Sequence, residues 1–149
     1  MKKILIILFI FNLSNVNAQE LRIIDGDTIH LNGKKIRFSG IDTPELKQKC
    51  IKNGIKNSCG ITAKKLLTKI IGNNNVDCVS EGQDQYNRIL AECFVNHQSL
   101  SSYLVKSGYA FAYRKYSNKF IVDEDYARTN KLGMWSMQFE YPWDFRRKK

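Results

Sequence analysis

The chain has 149 residues and a mass of 17.3 kDa, which fits one domain and excludes two sizeable hydrophobic cores. Hydrophobic residues make up 43% and charged residues 26% of the sequence, which excludes disordered, collagen-like and coiled-coil chains. The formal net charge of +10 favours an anionic partner such as nucleic acid or an anionic membrane surface. A basic, solvated surface with no such partner is the alternative.

The first 18 residues have the pattern of a secretory signal peptide. A basic start, Met1–Lys3, precedes an unbroken apolar run, Ile4–Phe11, and the small residue Ala18 marks a cleavage site. The run is shorter than the roughly 20 residues that a bilayer requires. We therefore expect cleavage after Ala18, export to the periplasm or the medium, and a mature domain over residues 19–149. Cleavage lowers the net charge to +8, and we expect a monomer without membrane contact.

Four cysteines in a small exported chain favour two disulfides. They are Cys50, Cys59, Cys78 and Cys93, and they allow three pairings. Cys50–Cys59 and Cys78–Cys93 are favoured because each closes a short local loop. A zinc site is the rival interpretation, but the chain has no C-x-x-C motif and only two histidines.

The first half of the mature chain predicts strands followed by a helix. Leu21–Ile24 is a short strand, and Thr28–Leu31 and Lys35–Phe38 flank Asn32-Gly33, a strong signal for a tight hairpin turn. Residues 47–60 are rich in Lys, Asn and Gly and indicate a loop stapled by cysteines. The next segment predicts a helix that ends at Gly72, because its apolar residues have helical spacing. These residues are Ala63, Leu66, Leu67, Ile70 and Ile71.

The second half predicts two strands, Val76–Val79 and Ile89–Val95, followed by helices. Ser99 is placed to cap a helix that closes at Gly108, and a further helix covers residues 121–131. The basic tail, residues 146–149, is expected to fray. This order of elements predicts an α+β domain with a small antiparallel barrel or sheet.

Two acidic loops are candidates for a cation site. Asp25-Gly26-Asp27-Thr28 lies between two strands, and Asp42-Thr43-Pro44-Glu45 follows the hairpin. Carboxylates beside hydroxyl and carbonyl oxygens suit a hard cation such as calcium. Ordinary turn chemistry is the competing explanation for each loop taken singly.

Two arginines complete a possible phosphodiester site. Arg37 is predicted in the middle of a strand, where an unpaired charge is unusual, and Arg88 ends the polar stretch 84–88. A guanidinium matches phosphate oxygens bidentately, and a carboxylate near a bound cation could position or deprotonate a water. The residue types suggest this constellation, but the sequence does not show that they meet in space.

Three segments in order carry a resemblance to the staphylococcal nuclease (thermonuclease) family. They are Ile24-Asp25-Gly26-Asp27-Thr28-Ile29, then Arg37-Phe38-Ser39-Gly40-Ile41-Asp42-Thr43-Pro44-Glu45, then Asp84-Gln85-Tyr86-Asn87-Arg88-Ile89-Leu90-Ala91. Leu104-Val105, Gly108, Ala110, Tyr113 and Leu132-Gly133-Met134-Trp135 also match. Each motif alone is weak, but three with suitable spacing are specific, and the resemblance covers essentially the whole mature chain.

The resemblance implies a five-stranded OB-fold barrel with three α-helices. It also implies a calcium-dependent phosphodiesterase that cleaves DNA and RNA and leaves 3′-phosphates. Asp27, Asp42 and the backbone carbonyl of Thr43 correspond to calcium ligands. Glu45 corresponds to a general base or water-positioning residue, and Arg37 and Arg88 correspond to catalytic arginines that stabilise transition-state charge.

Substrate contacts are implied at Asp84, Tyr86, Tyr113 and Tyr116. The chain departs from the family at Asn87, where glycine is common. Asparagine tolerates a left-handed backbone well, so the loop can be kept, but the direction of Arg88 depends on it. Trp135, Trp143, Phe94 and Phe111 are expected to pack in the interior rather than stack on bases.

Two other classes of function compete with the enzyme. One is a catalytically inactive OB-fold module that only binds nucleic acid, and the other is a basic exported protein that binds membranes or a protein partner. The first is disfavoured because the metal-type carboxylates and both arginines are present together. The second explains the charge but none of the motifs.

Overall fold

The computed structural model describes residues 19–148. The expected signal peptide and cleavage site lie outside these residues. Among the described residues, the helices are all too short or too polar to cross a bilayer.

The described chain is a mixed α+β domain. Its strands are β1 (Leu21–Ile23), β2 (Thr28–Leu31), β3 (Lys34–Phe38), β4 (Ile41–Asp42), β5 (Cys50–Lys52), β6 (Ile55–Asn57), β7 (Asp77–Gln83), β8 (Ile89–Val95), β9 (Gln98–Ser99) and β10 (Phe111–Ala112). Its helices are α1 (Cys59–Ile71), α2 (Leu100–Lys106), α3 (Ile121–Thr129) and α4 (Pro142–Arg147), with a 3₁₀ turn at Gly133–Ser136 before α4. The predicted α+β class is confirmed.

Five strands form one continuous sheet in the order β1-β2-β3-β8-β7, and β9 pairs with β8. The predicted hairpin between β2 and β3 is confirmed, with Asn32 and Gly33 at φ 48° and 75° in its turn. The central pair β3 and β8 is parallel and places Arg37 beside Leu90. A short second sheet pairs β4 with β10, so that Asp42 lies opposite Phe111.

The helix predictions are confirmed for α1, α2 and α3, with ends shifted by a few residues. The Ser99 side chain accepts a hydrogen bond from the backbone N–H of Ser102, as expected of a helix cap. Residues 47–60 were expected as a loop, which is wrong: β5 and β6 form a hairpin there. Its turn residues, Asn53 and Gly54, have φ 51° and 76°, the same signal that identified the first hairpin.

The expected frayed tail is also wrong, because residues 142–147 form α4, a fourth helix beyond the three expected. Pro142 stands at the start of α4, where its fixed φ and missing N–H are favourable. Arg146, near its end, is held by carboxylates of the site described below. Tertiary contacts therefore order a segment whose composition alone favoured disorder.

Two apolar clusters fill the interior. The larger packs the main sheet against α1 and α2 and contains Ile29, Phe38, Leu67 and Leu104, all essentially inaccessible to solvent. The smaller lies beneath α4 and contains Phe111 and Met134, with Trp135, Phe139, Tyr141 and Trp143 packed against it. The expected packing role of Phe111 and Trp135 is confirmed.

Both favoured disulfides are present. Cys50–Cys59 joins β5 to the start of α1, with Cα atoms 5.9 Å apart, and belongs to the smaller cluster. Cys78–Cys93 links directly opposed positions of β7 and β8. The described residues contain no free cysteine, so the zinc interpretation of these thiols is excluded.

Candidate active site

Arg37 stands between two buried carboxylates. Its Nη1 lies 2.9 Å from Oδ2 of Asp27, and its Nη2 lies 2.9 Å from Oδ1 of Asp42. The Asp27 and Asp42 side chains are 7% and 1% exposed, and that of Arg37 is 12% exposed. The structure therefore brings together three of the residues singled out from separate motifs. Buried carboxylates are expensive unless paired, so Arg37 compensates both charges at once.

Thr43 fixes the orientation of Asp27. Its backbone N–H and its hydroxyl both donate to Oδ2 of Asp27 at 2.8 Å. On the other side, the hydroxyl of Thr28 donates to Oδ1 of Asp27, and the Asp27 N–H donates to Oδ1 of Asp25. The two acidic loops are thus joined by hydrogen bonds into one polar cluster at the start of β2 and the end of β4.

Glu45 lies at the edge of this cluster and is held by residues distant in sequence. Its backbone N–H donates to Oε1 of Gln48, whose Nε2 donates to the carbonyl oxygen of Glu140 at 2.6 Å. Gln48 is 1% exposed, although a glutamine in a polar loop gave no sequence signal of burial. The first turn of α1 packs directly on this loop. The close approach is possible because Gly60 has no side chain, and a Cβ there would overlap the backbone of Glu45 and Leu46.

A second guanidinium, from Arg146 of α4, covers the same carboxylates. Its Nη2 lies 2.7 Å from Oδ2 of Asp42, and its Nη1 contacts Oδ1 of Asp42 at 3.1 Å and Oε1 of Glu45 at 2.9 Å. The sequence reasoning missed this residue. The only available signal was Pro142 followed by a basic last turn, which is typical of a short helix.

Burial and the repulsion between neighbouring carboxylates raise the pKa values of two carboxyls in this cluster, those of Asp25 and Asp42. Burial, strengthened by the charge of Asp27, raises the pKa of the Asp25 carboxyl to about 6. Burial also raises the pKa of Asp42, although hydrogen bonds from Arg146 oppose that rise. The environment thus disfavours additional negative charge, which a bound cation would neutralise.

The donor set fits a hard divalent cation. Asp27 and Asp42 offer carboxylate oxygens, the ligand type that calcium prefers, and both are buried and already oriented by hydrogen bonds. Within residues 19–148, no group of three or more acidic, histidine or cysteine side chains is close enough together to define a preformed metal centre. The guanidinium groups of Arg37 and Arg146 occupy the intervening positions.

Arg88 is held on a separate loop between β7 and β8. Its Nε lies 2.6 Å from Oδ2 of Asp84, and its backbone N–H donates to Oδ1 of the same carboxylate. Asn87 adopts φ 60°, so asparagine takes the left-handed conformation expected at this departure from the family. The ionic partner of Arg88 is Asp84, not a carboxylate of the Arg37 cluster.

Aromatic rings form a wall next to Arg146. Tyr113 packs edge-on against Tyr116 and lies parallel to Trp143, which in turn stacks on Tyr141. Tyr113, Tyr141 and Trp143 line an open groove of about 620 Å³ together with Arg114, Lys115, Arg146 and Arg147. Tyr113 and Tyr116 are therefore neighbours, and Trp143 belongs to this wall as well as to the interior. Tyr86 is separate and 70% exposed.

The comparisons with known proteins agree with this geometry. The family model for staphylococcal nuclease homologues matches residues 35–137. An uncharacterized endonuclease of Haemophilus influenzae is 29% identical over 91% of this chain and 79% of its own length. Endonuclease YncB of Bacillus subtilis is 34% identical over 81% of this chain and 62% of its own length.

A probable staphylococcal-like nuclease of rice, CAN2, is 31% identical over 76% of this chain but only 29% of its own length. The chain thus spans less than two thirds of the Bacillus and rice relatives. The family match covers well over half of the chain and includes Arg37, Asp42, Glu45 and Arg88. The predicted nuclease family and enzyme class are confirmed: the chain belongs to the staphylococcal nuclease family.

Proposed function

We propose that this protein is an exported, calcium-dependent endonuclease that hydrolyses phosphodiester bonds of DNA and RNA and leaves 3′-phosphates. The observation that carries the proposal is the pairing of two buried carboxylates, Asp27 and Asp42, with the single guanidinium of Arg37. Such a site has negative charge to hold a divalent cation and a positive group to receive a phosphate. The calcium ligands in this proposal are Asp27, Asp42 and the backbone carbonyl of Thr43.

A calcium ion bound there would neutralise phosphate charge and lower the pKa of a coordinated water. Arg37, whose terminal nitrogens are fixed by Asp27 and Asp42, holds a non-bridging phosphate oxygen with its remaining N–H donors. Arg88 leaves Asp84 or shares it, and stabilises the negative charge that develops on the oxygens around the five-coordinate phosphorus. Glu45 orients the attacking water or takes its proton.

Substrate orientation falls to tyrosine rings beside the site. Tyr116, which is 68% exposed, offers a face on which a nucleobase can stack, and the half-buried Tyr113 beside it contacts the substrate with its remaining exposed surface. Tyr86 lies next to Arg88 on the loop before β8. Stacking is tolerant of base identity and of sugar type, which supports cleavage of both DNA and RNA. Asp84 contributes by holding the loop that presents Arg88 and Tyr86.

The first test is digestion of single-stranded DNA and RNA by the purified protein with calcium, with magnesium alone and with chelator. We expect cleavage that requires calcium and yields 3′-phosphate ends, which end-specific labelling detects. Asp42→Asn serves as the metal-site variant and should abolish the calcium response. Salt-sensitive binding by a folded protein without any cleavage would instead favour the inactive binding module.

Export is tested separately. Expression of the full chain, followed by mass measurement of the protein outside the cytoplasm, should give a mature N-terminus at Gln19. The two disulfides support this location, because such bonds persist in oxidising compartments. Sedimentation of the mature protein should give a monomer, and liposomes should not retain it.

A further inference from the structure

Arg146 and a divalent cation would compete for Asp42. The guanidinium contacts both carboxylate oxygens of Asp42, and Arg37 takes a further position on Oδ1. A cation coordinated by Asp42 would lie within a few ångströms of the Arg146 charge, in a buried region where like charges repel strongly. Each of the two positive groups therefore weakens the binding of the other at Asp42.

Arg146 is the group that can move. Its side chain is 38% exposed, whereas that of Arg37 is 12% exposed and lies in a strand. The open groove next to Arg146 offers space for a displaced guanidinium. The backbone of α4 can stay in place meanwhile, since Trp143 is stacked between Tyr113 and Tyr141.

We propose that Arg146 is an internal counter-ion of the cation site: it neutralises Asp42 and Glu45 in the metal-free protein, and cation binding displaces it into the groove. The inference rests on the proposed function only for the position of the cation, not for the reaction. It gives a role to α4, a helix that lies outside the motifs from which the catalytic residues were predicted. The proposal also places the released guanidinium in the groove where Arg114 and Lys115 lie. A phosphate of the nucleic-acid substrate, next to the bond that is cleaved, would have a positive partner there.

The test is calorimetric titration of calcium into the purified protein without nucleic acid. Arg146→Ala removes the competitor and should tighten calcium binding on the order of tenfold. Arg147→Ala is the matched control, because this neighbouring arginine pairs with Asp144 on the same helix and should leave the affinity within twofold. Unchanged or weaker binding by Arg146→Ala overturns the proposal.

Stability provides an independent readout. Urea unfolding should show that Arg146→Ala destabilises the calcium-free protein and leaves the calcium-saturated protein nearly as stable as the wild type. Equal destabilisation in both states means a purely structural role and overturns the proposal. If the alanine variant does not fold without calcium, Arg146→Lys is used. It keeps the charge but loses the bidentate contact, so it should bind calcium more tightly than the wild type by a smaller factor.

Failure of the two proposals can be told apart. If calcium binds with the predicted order of affinities and nucleic acid is not cleaved, the counter-ion role stands and the proposed nuclease activity falls. If neither the wild type nor Arg146→Ala takes up calcium, the counter-ion role and the proposed calcium site fall together.

Discussion

Nη2 of Arg37 lies 2.9 Å from Oδ1 of Asp42, so this ion pair joins β3 to the end of the short strand β4 that follows it. The same guanidinium reaches Asp27 from its other nitrogen. Arg37 therefore has a structural charge-compensating role in addition to the catalytic role proposed for it. The two roles can be separated by experiment.

Arg37→Ala should lower kcat by at least about a hundredfold, because a preorganised donor to transition-state charge is lost. In the absence of calcium it should also destabilise the fold by about 3 kcal/mol, since two buried carboxylates lose their shared partner. Calcium should restore part of that stability. Steady-state kinetics and urea unfolding with and without calcium measure both effects.

The control is Arg22→Ala, an exposed arginine on β1, which should change neither quantity appreciably. A normal kcat in Arg37→Ala would rule out the catalytic role. Equal stability loss with and without calcium would show that the cation does not bind at Asp27 and Asp42.

Arg88→Ala should lower kcat by a similar factor and leave the fold intact. Its guanidinium pairs with Asp84 on a surface loop and lies over the ring of Tyr86. After its removal, Asp84 keeps the hydrogen bonds from the backbone N–H groups of Tyr86 and residue 88. Thermal unfolding should therefore shift by only a few degrees. Arg88→Lys, which keeps the charge and loses the fork, should recover little activity. Near-normal turnover in Arg88→Ala would refute the assignment.

Asp84→Asn should reveal a pH-dependent contribution of the loop to stability. Desolvation raises the pKa of Asp84, but hydrogen bonds from the backbone and side chain of Arg88 outweigh it and hold the pKa below its ordinary value. Because its pKa is lower in the folded state, the Asp84 carboxylate stabilises the fold at pH values above its unfolded-state pKa, which is near 4. This stabilisation is lost as the pH falls through the folded-state pKa. The free energy of unfolding of the wild type should thus exceed that of Asp84→Asn by about 1 kcal/mol at pH 7.

Urea unfolding between pH 7 and pH 2.5 measures this difference, which should shrink toward the acid end. Asp125→Asn is the matched control, because Asp125 pairs with Arg128 at an exposed position of α3. A difference for Asp84→Asn that stays constant over this range would mean that the carboxylate charge contributes nothing.

Local signals predicted much of this molecule. Asn32-Gly33 marked a hairpin, the spacing from Ala63 to Ile71 marked α1, and Ser99 marked the start of α2. Such signals depend on backbone preferences and on one face of one element, so they need no knowledge of the rest of the fold. The same signal at Asn53-Gly54 was outweighed by the lysines and asparagines around it.

The assembled site depended on contacts that local signals do not contain. The sequence motifs predict that Asp27, Arg37 and Asp42 belong to one site. In the structure Arg37 contacts both carboxylates. Arg146 lies more than a hundred residues from Asp42, so no periodicity joins them. Gln48 could not be predicted for the same reason. It holds the loop through hydrogen bonds to the backbone N–H of Glu45 and the carbonyl oxygen of Glu140, and Glu140 is distant in sequence.

Gly60→Ala tests whether α1 positions the loop that carries Glu45. A Cβ at Gly60 would lie 2.8 Å from the Cα of Leu46 and would overlap the carbonyl of Glu45, and all of these are backbone atoms that cannot rotate away. We expect the loop to shift, with a stability loss of at least about 2 kcal/mol and a fall in kcat larger than the rise in KM. Ile61→Ala, at an exposed neighbouring position of the helix, is the control and should leave kcat unchanged. Wild-type kcat in a folded but destabilised Gly60→Ala would show that Glu45 does not depend on this contact, which would weaken its assignment as the residue that handles the attacking water.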